Sequence, residues 1–143
     1  GPDFALLDPR YPALRRSLGD RSGAVRRVLV SFGAIDQERH GLRAAHCVRD
    51  ALGPMVRIDL LLGRQSPHVA EAQAMETADA GLVVHIDTTE VPALMRDADL
   101  SIGAGGTTSW ERACLGLPAV VAALAENQRL VIESLVEAGA AVE

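Results

Sequence analysis

The stretch that decides the fold is "DLSIGAGGTTSWE", residues 99–111. A short apolar run stops at glycines 103, 105 and 106, and two threonines, a serine, a tryptophan and a carboxylate follow. That order reads as strand, tight turn and helix start. Gly103, Gly105 and Gly106 are able to take positive φ and let a ligand approach the backbone. The helix beyond them offers unpaired N–H groups and the positive end of its dipole. The dipole contributes about 0.3 to 1 kcal/mol at exposed sites, so a bound diphosphate also needs direct bonds from Thr107 and Thr108. A phosphate cradle and a bare turn into a capped helix are both compatible with this composition. The spacing is neither the dinucleotide fingerprint nor a P-loop, and Ser109 lacks the flanking glycines of a nucleophile elbow.

Outward from that stretch, apolar runs alternate with helical patterns. "RVLVSFG" is a strand, and "DQERHGLRAAHCVRDALG" is a helix with apolar positions 42, 45, 48 and 52 and Gly53 as its stop. "MVRIDLLLG" and "PHVAEAQAMETADAG" repeat the pair, the second helix closing at Gly81. "LVVHI" with "VPALMRDA", then "DLSIG" with "SWERACLG", then "PAVVAAL" with "ENQRLVIESLVEAG", complete five strands. Strands without polar alternation, each followed by a helix, predict an α/β fold: a Rossmann-like, doubly wound parallel sheet covered on both faces. In the order 3-2-1-4-5, strands 1 and 4 are neighbours and ligands bind beyond their carboxyl ends. The loops "FGAID" and "GAGGTT" then face each other across that crevice.

The whole chain limits the function classes. At 143 residues it has room for one core. All 14 basic residues are arginines scattered along the chain, net charge is −5 and aromatics are 3%, which excludes a nucleic-acid platform. No apolar run approaches a membrane span, and a signal-peptide pattern is absent from the opening residues. Cys47 and Cys114 sit in helical settings without a CxxC, so they are expected as buried thiols in a reducing, cytoplasmic compartment, with no metal site. The chain opens without Met and closes at "AGAAVE", where another apolar strand begins, and both ends are expected to be cut from something longer.

Individual polar residues carry two readings each. Glu111 is the N3 carboxylate of a capping box if Thr108 is N-cap, and otherwise a carboxylate placed to accept ribose hydroxyls. Asp36 is expected to cap the helix after strand 1, and Ser31 to be a strand residue. His40, His46, His68 and His85 show no partner at a spacing that predicts a catalytic pair, and each is expected to be structural. Asn127 and Gln128 open the last helix, where amides cap ends, and also point from strand 5 toward the crevice.

The blocks "GPDFALLDPRYPALRR", "RVLVSFGAID", "DADLSIGAGGTTSWERACLGLPAVVAALAENQ" and "AGAA" resemble, in order, the carboxyl-terminal half of the UDP-2,4-diacetamido-2,4,6-trideoxy-β-L-altropyranose hydrolases of pseudaminic acid biosynthesis, a family that includes spore-coat polysaccharide synthesis proteins. A more distant resemblance is to the N-acetylglucosaminyltransferase of peptidoglycan synthesis, a GT-B fold of two Rossmann-like domains. The resemblance implies the carboxyl-terminal half of a GT-B fold. Residues 1–26 would be the interdomain crossing segment and the helix leading in, and 27–143 the UDP-binding domain. The amino-terminal catalytic domain, with the family's histidine, would be absent.

The resemblance further implies that Gly105, Gly106, Thr107 and Thr108 meet the diphosphate, that Glu111 accepts the ribose hydroxyls, that the backbone around Ile86 reads the uracil edge, and that Asn127 and Gln128 lie by the sugar. It implies no cofactor and no catalytic residue in this half. The isolated chain is expected to bind UDP weakly and to catalyse nothing. Relatives read "SFGGSD" where this chain has "SFGAID", so Ala34 and Ile35 remove a backbone freedom and a hydroxyl. A UDP-sugar hydrolase, a GT-B glycosyltransferase and a non-catalytic binding module that keeps the fold are the three functional alternatives.

Overall fold

A computed structural model describes residues 7–19, 21 and 23–143. Its element order is α1 (Arg10–Arg15), β1 (Arg27–Ser31), α2 (His40–Leu52), β2 (Arg57–Leu62), α3 (Val69–Ala78), β3 (Leu82–Ile86), α4 (Val91–Asp97), β4 (Leu100–Ala104), α5 (Thr108–Cys114), β5 (Ala119–Ala122), a 3-10 turn (Glu126–Gln128), α6 (Arg129–Glu137) and β6 (Ala141–Val142). The six strands are all parallel, in the order β3-β2-β1-β4-β5-β6. This is the doubly wound, Rossmann-like arrangement expected from the sequence, with β1 and β4 adjacent at the switch point. The apolar start at the chain's end forms β6.

The missing polar alternation in β1 has a direct cause. Val28, Leu29 and Val30 are all fully buried, but on opposite faces. Val28 and Val30 join Leu42, Ala45 and Val48 of α2, Ile58 and Leu60 of β2, and Ala72 of α3. Leu29 joins Tyr11 of α1, Leu61 of β2, Leu94 and Met95 of α4, and Leu115 and Leu117 after α5. Helices cover both faces, so the three buried central positions of β1 are all apolar. A third cluster seats Ile132 and Leu135 of α6 on Ala119 and Val121 of β5 and Ala141 of β6.

Arg21, ahead of β1, is anchored to the ends of two helices. Its guanidinium donates to the carbonyls of Met95 (3.1 Å), Ala98 and Leu115 (3.5 Å), the unpaired ends of α4 and α5. A cation there also complements the negative helix ends.

Several boundaries differ from the sequence expectation. α2 starts at His40, behind N-cap Arg39 at φ 59°, rather than at Asp36. Asp36 still caps it, from outside: the half-turn at 36–39 swings its carboxylate back to accept the N–H groups of His40 (3.0 Å) and Gly41 (2.8 Å). α3 ends with Asp79 as C-cap, two residues before Gly81, because Asp79 accepts the Gly81 N–H (2.9 Å) and pairs with Arg49 (2.7 Å). Cys47 is exposed and Cys114 half-buried, which corrects the expectation of two buried thiols: Ala45 and Val48 take the inward face of α2 and turn Cys47 to solvent.

Candidate functional site

A cleft of about 450 Å3 opens at the carboxyl ends of the strands. Ser31, Gly33 and Ala34 come from the end of β1, Leu61 to Gly63 from β2, His85 and Asp87 from β3, and Thr108 and Glu111 from α5. Thr88, Thr89, Val91 and Pro92 at the start of α4 and Asp8, Arg10 and Tyr11 at the start of α1 close the far wall. Arg10 ties those two walls together, donating to the Thr89 carbonyl (2.9 Å) and pairing with Asp8 (2.9 Å). The cleft therefore runs over the carboxyl ends of β3, β2 and β1 and reaches the first turn of α5, while the loop between β4 and α5 stays outside its lining.

The glycines of the β4–α5 loop serve close packing, not left-handed backbone. None of Gly103, Gly105 and Gly106 has positive φ, contrary to the freedom expected of them. A Cβ on Gly103 would overlap the Ser31 carbonyl, and one on Gly105 would overlap the Ile132 side chain of α6. A Cβ on Gly106 would meet open space. Across the cleft, Gly33 is the loop residue that does take positive φ, 97°. Ala34 does not, so alanine fits there, and its carbonyl accepts the Gly63 N–H at 2.7 Å.

Glu111 is not part of a capping box. Thr107, not Thr108, is the N-cap of α5, sits in helical conformation (φ −58°, ψ −30°) and makes no side-chain cap bond. Starting the helix one residue earlier moves Glu111 past the N3 position that a capping box needs. Its carboxyl faces the cleft beside the Tyr11 hydroxyl. Burial pushes the Glu111 carboxyl above its usual range, against the lowering pull of Tyr11 and Arg112. Burial also drives Tyr11 far upward, with the Glu111 charge adding to the shift.

Of the other expected site residues, Thr108 lines the cleft with Glu111. Ile86 ends β3 between the cleft residues His85 and Asp87. On this edge strand the odd residues bond to β2, as Asp87 N–H does to Leu62 (3.0 Å), and the even residues turn outward, as Val84 N–H does to Glu76 (2.9 Å). By the same alternation the Ile86 N–H and C=O face the open edge. Asn127 is exposed. The Gln128 amide oxygen is already engaged, accepting the Leu124 N–H at 3.0 Å. Asn127, Gln128, Gly105, Gly106 and Thr107 are outside the cleft lining itself.

His85, expected from the sequence to be structural, lines the site, and Asp59, which the sequence reading passed over, lies buried behind it. His85 lines the cleft, and its Nε2 is 2.7 Å from Asp59 Oδ1. Asp59 is 1% exposed and also receives Arg27 Nε at 2.5 Å and Arg57 Nη2 at 3.0 Å. Burial would raise the Asp59 carboxyl, but the bonds from Arg57, Arg27 and His85 overcome it and hold it below the usual carboxylate range. An ionised Asp59 makes Nε2 the donor and fixes the imidazole's orientation. By contrast His40 stacks near Phe32, and His68 bonds the Gln37 carbonyl at 2.9 Å, in keeping with structural roles. Among the described residues, no three His, Cys, Asp or Glu side chains converge at metal-binding distance, and no helix is long and apolar enough to cross a membrane.

No family model matches the chain. The spore coat polysaccharide biosynthesis protein SpsG of Bacillus subtilis (strain 168) is 27% identical over 146 residues, a match that takes in 100% of this chain and 42% of the relative. The chain thus spans less than half the length of that relative. A solved glycotransferase of kitacinnamycin superposes with TM-score 0.65 at 27% identity, over 87% of this chain and 31% of that one. MurG of Acinetobacter baumannii superposes with TM-score 0.64 at 22% identity, over 93% of this chain and 38% of that one, a likeness of fold. The chain is therefore similar in sequence to a polysaccharide biosynthesis protein and in fold to part of a glycotransferase and part of MurG.

Proposed function

We propose that this chain is the nucleotide-sugar-binding half of a two-domain GT-B enzyme, and that its ligand is a UDP-sugar used in surface-polysaccharide or nonulosonic acid synthesis in the cytoplasm. The observation that carries the reading is the cleft over the carboxyl ends of β1, β2 and β3, with Thr108 and Glu111 in one wall and the open edge at Ile86 beside the other. In this reading the backbone of Gly105 and Gly106 and the hydroxyls of Thr107 and Thr108 hold the diphosphate. Glu111 accepts the ribose hydroxyls, the Ile86 N–H and C=O meet the uracil edge, and Asn127 and Gln128 lie by the sugar, with Asn127 the more available of the two. Residues 1–26 are the segment crossing from an amino-terminal domain.

In the hydrolase reading, water attacks the anomeric carbon and UDP leaves with the bonding electrons. UDP is a good leaving group, so this half supplies no general acid. Its part is to orient the diphosphate and stabilise the charge that grows on it through fixed dipoles. Similarity to SpsG along the whole chain supports a polysaccharide pathway. The glycosyltransferase reading is favoured equally by the superposition on a glycotransferase over 87% of the chain. The two part on one experiment with the full-length protein: UDP released from a UDP-sugar without an acceptor supports hydrolysis, and release only on adding an acceptor supports transfer. Release under neither condition leaves the binding-module reading in place of both.

A further inference from the structure

The β4–α5 loop has a cation beneath it that its surroundings do not neutralise. Arg112 of α5 is 3% exposed and makes no salt bridge among the described residues. Its Nη2 donates to the Ala104 carbonyl (2.6 Å) and to Ser109 Oγ (3.1 Å), while Nε has no partner. A Cβ built on Gly103 would lie 3.3 Å from Nη1, so the guanidinium reaches under the end of β4 beside Ser31. Ser109 is itself buried. The guanidinium therefore spans the loop from its first residue to the helix that follows.

Buried charges are normally paired, because desolvation is costly and an apolar residue of similar volume packs as well or better. Burial pulls the Arg112 guanidinium down to about 10, with Glu111 pulling the other way, so it is still a cation at neutral pH. Glu111 is the opposite charge that acts on it, and its carboxyl faces Tyr11 and the cleft. A buried cation is weakly screened, so it acts on charge bound at the loop it holds.

We propose that Arg112 is the positioning residue of the phosphate end of the cleft: it holds the 103–109 loop from beneath and supplies the fixed positive charge that selects a diphosphate over a less charged ligand. This rests on the nucleotide reading above. The charge acts through the loop, so Arg112 touches no ligand. It should govern dependence on phosphate number and leave the nucleoside contacts alone.

The test is calorimetric titration of the chain, Arg112→Met and Arg112→Lys with uridine, UMP and UDP, with circular dichroism to establish folding. The expected result is a UDP-to-uridine affinity ratio that falls about tenfold or more in Arg112→Met while uridine affinity stays within about threefold, and a ratio largely kept in Arg112→Lys. An unchanged ratio in a folded Arg112→Met overturns the proposal. If Arg112→Met does not fold, Arg112→Gln, which removes the charge and keeps a donor to the loop, takes its place: a lowered ratio supports the role of charge, and an unchanged ratio overturns it. A parent chain that is folded and binds no UDP overturns the nucleotide reading and this proposal together, whereas a parent that binds UDP with no dependence on Arg112 overturns this proposal alone.

Discussion

His85 on β3 and Asp59 on β2 share a 2.7 Å hydrogen bond across adjacent parallel strands, and two arginines, Arg27 and Arg57, close on the same carboxylate. Removing the carboxylate strips Arg27, Arg57 and His85 of the acceptor they share and leaves Arg27 only the longer contact to Asp97 at 3.5 Å. Asp59→Ala is expected to lower unfolding free energy by about 3 to 5 kcal/mol. Urea denaturation of the two proteins checks it, and a loss under about 1 kcal/mol contradicts it.

The same carboxylate sets an acid limit. Asp59 has its folded pKa depressed, so its stabilisation is present above the unfolded carboxylate value, near pH 4, and is lost as pH falls through the lower folded value. The melting temperature of the parent should drop steeply below about pH 4, and Asp59→Asn should flatten that drop. Parallel acid profiles for the two contradict the assignment.

Glu111 shifts the other way. Its folded pKa is raised, so its favourable contribution exists below the unfolded value and is lost as pH rises through the folded one; at neutral pH the charge burdens the fold. Glu111→Gln should therefore hold or raise the melting temperature at pH 7 while weakening UDP binding about tenfold or more. A lower melting temperature with unchanged affinity would restore a capping role.

Gly103 and Gly105 are held to glycine by neighbours distant in sequence, Ser31 and Ile132. Gly103→Ala should destabilise strongly, by about 2 kcal/mol or more, because the obstruction is backbone. Gly106→Ala, with open space around its Cβ, should cost under about 1 kcal/mol. Thermal melts of the two variants check the contrast, and equal losses contradict it.

These glycines also mark what was legible in the sequence. β-branched runs punctuated by helices were enough for the parallel sheet and the place of its switch point, because both depend on local pattern and on general rules of chain crossing. The glycine-rich loop was recognisable, but not why it is glycine: the Ser31 carbonyl and the Ile132 side chain arrive from β1 and α6. His85 read as structural because Asp59 is 26 residues away and meets it only through the register of β2 on β3. Glu111 kept a capping reading beside the ribose one because T-x-x-E fits a helix with Thr108 as N-cap, and a helix that starts one residue earlier removes the box. Arg112 carried no signal beyond its charge, since burial beneath the loop follows from how α5 rotates against β5 and α6.

The most direct measurement is calorimetric titration of this chain, shown to be folded, with UDP. The account predicts saturable one-site binding with a Kd of millimolar or tighter, weakened by Glu111→Gln. No heat of binding at millimolar UDP from the folded chain would contradict it.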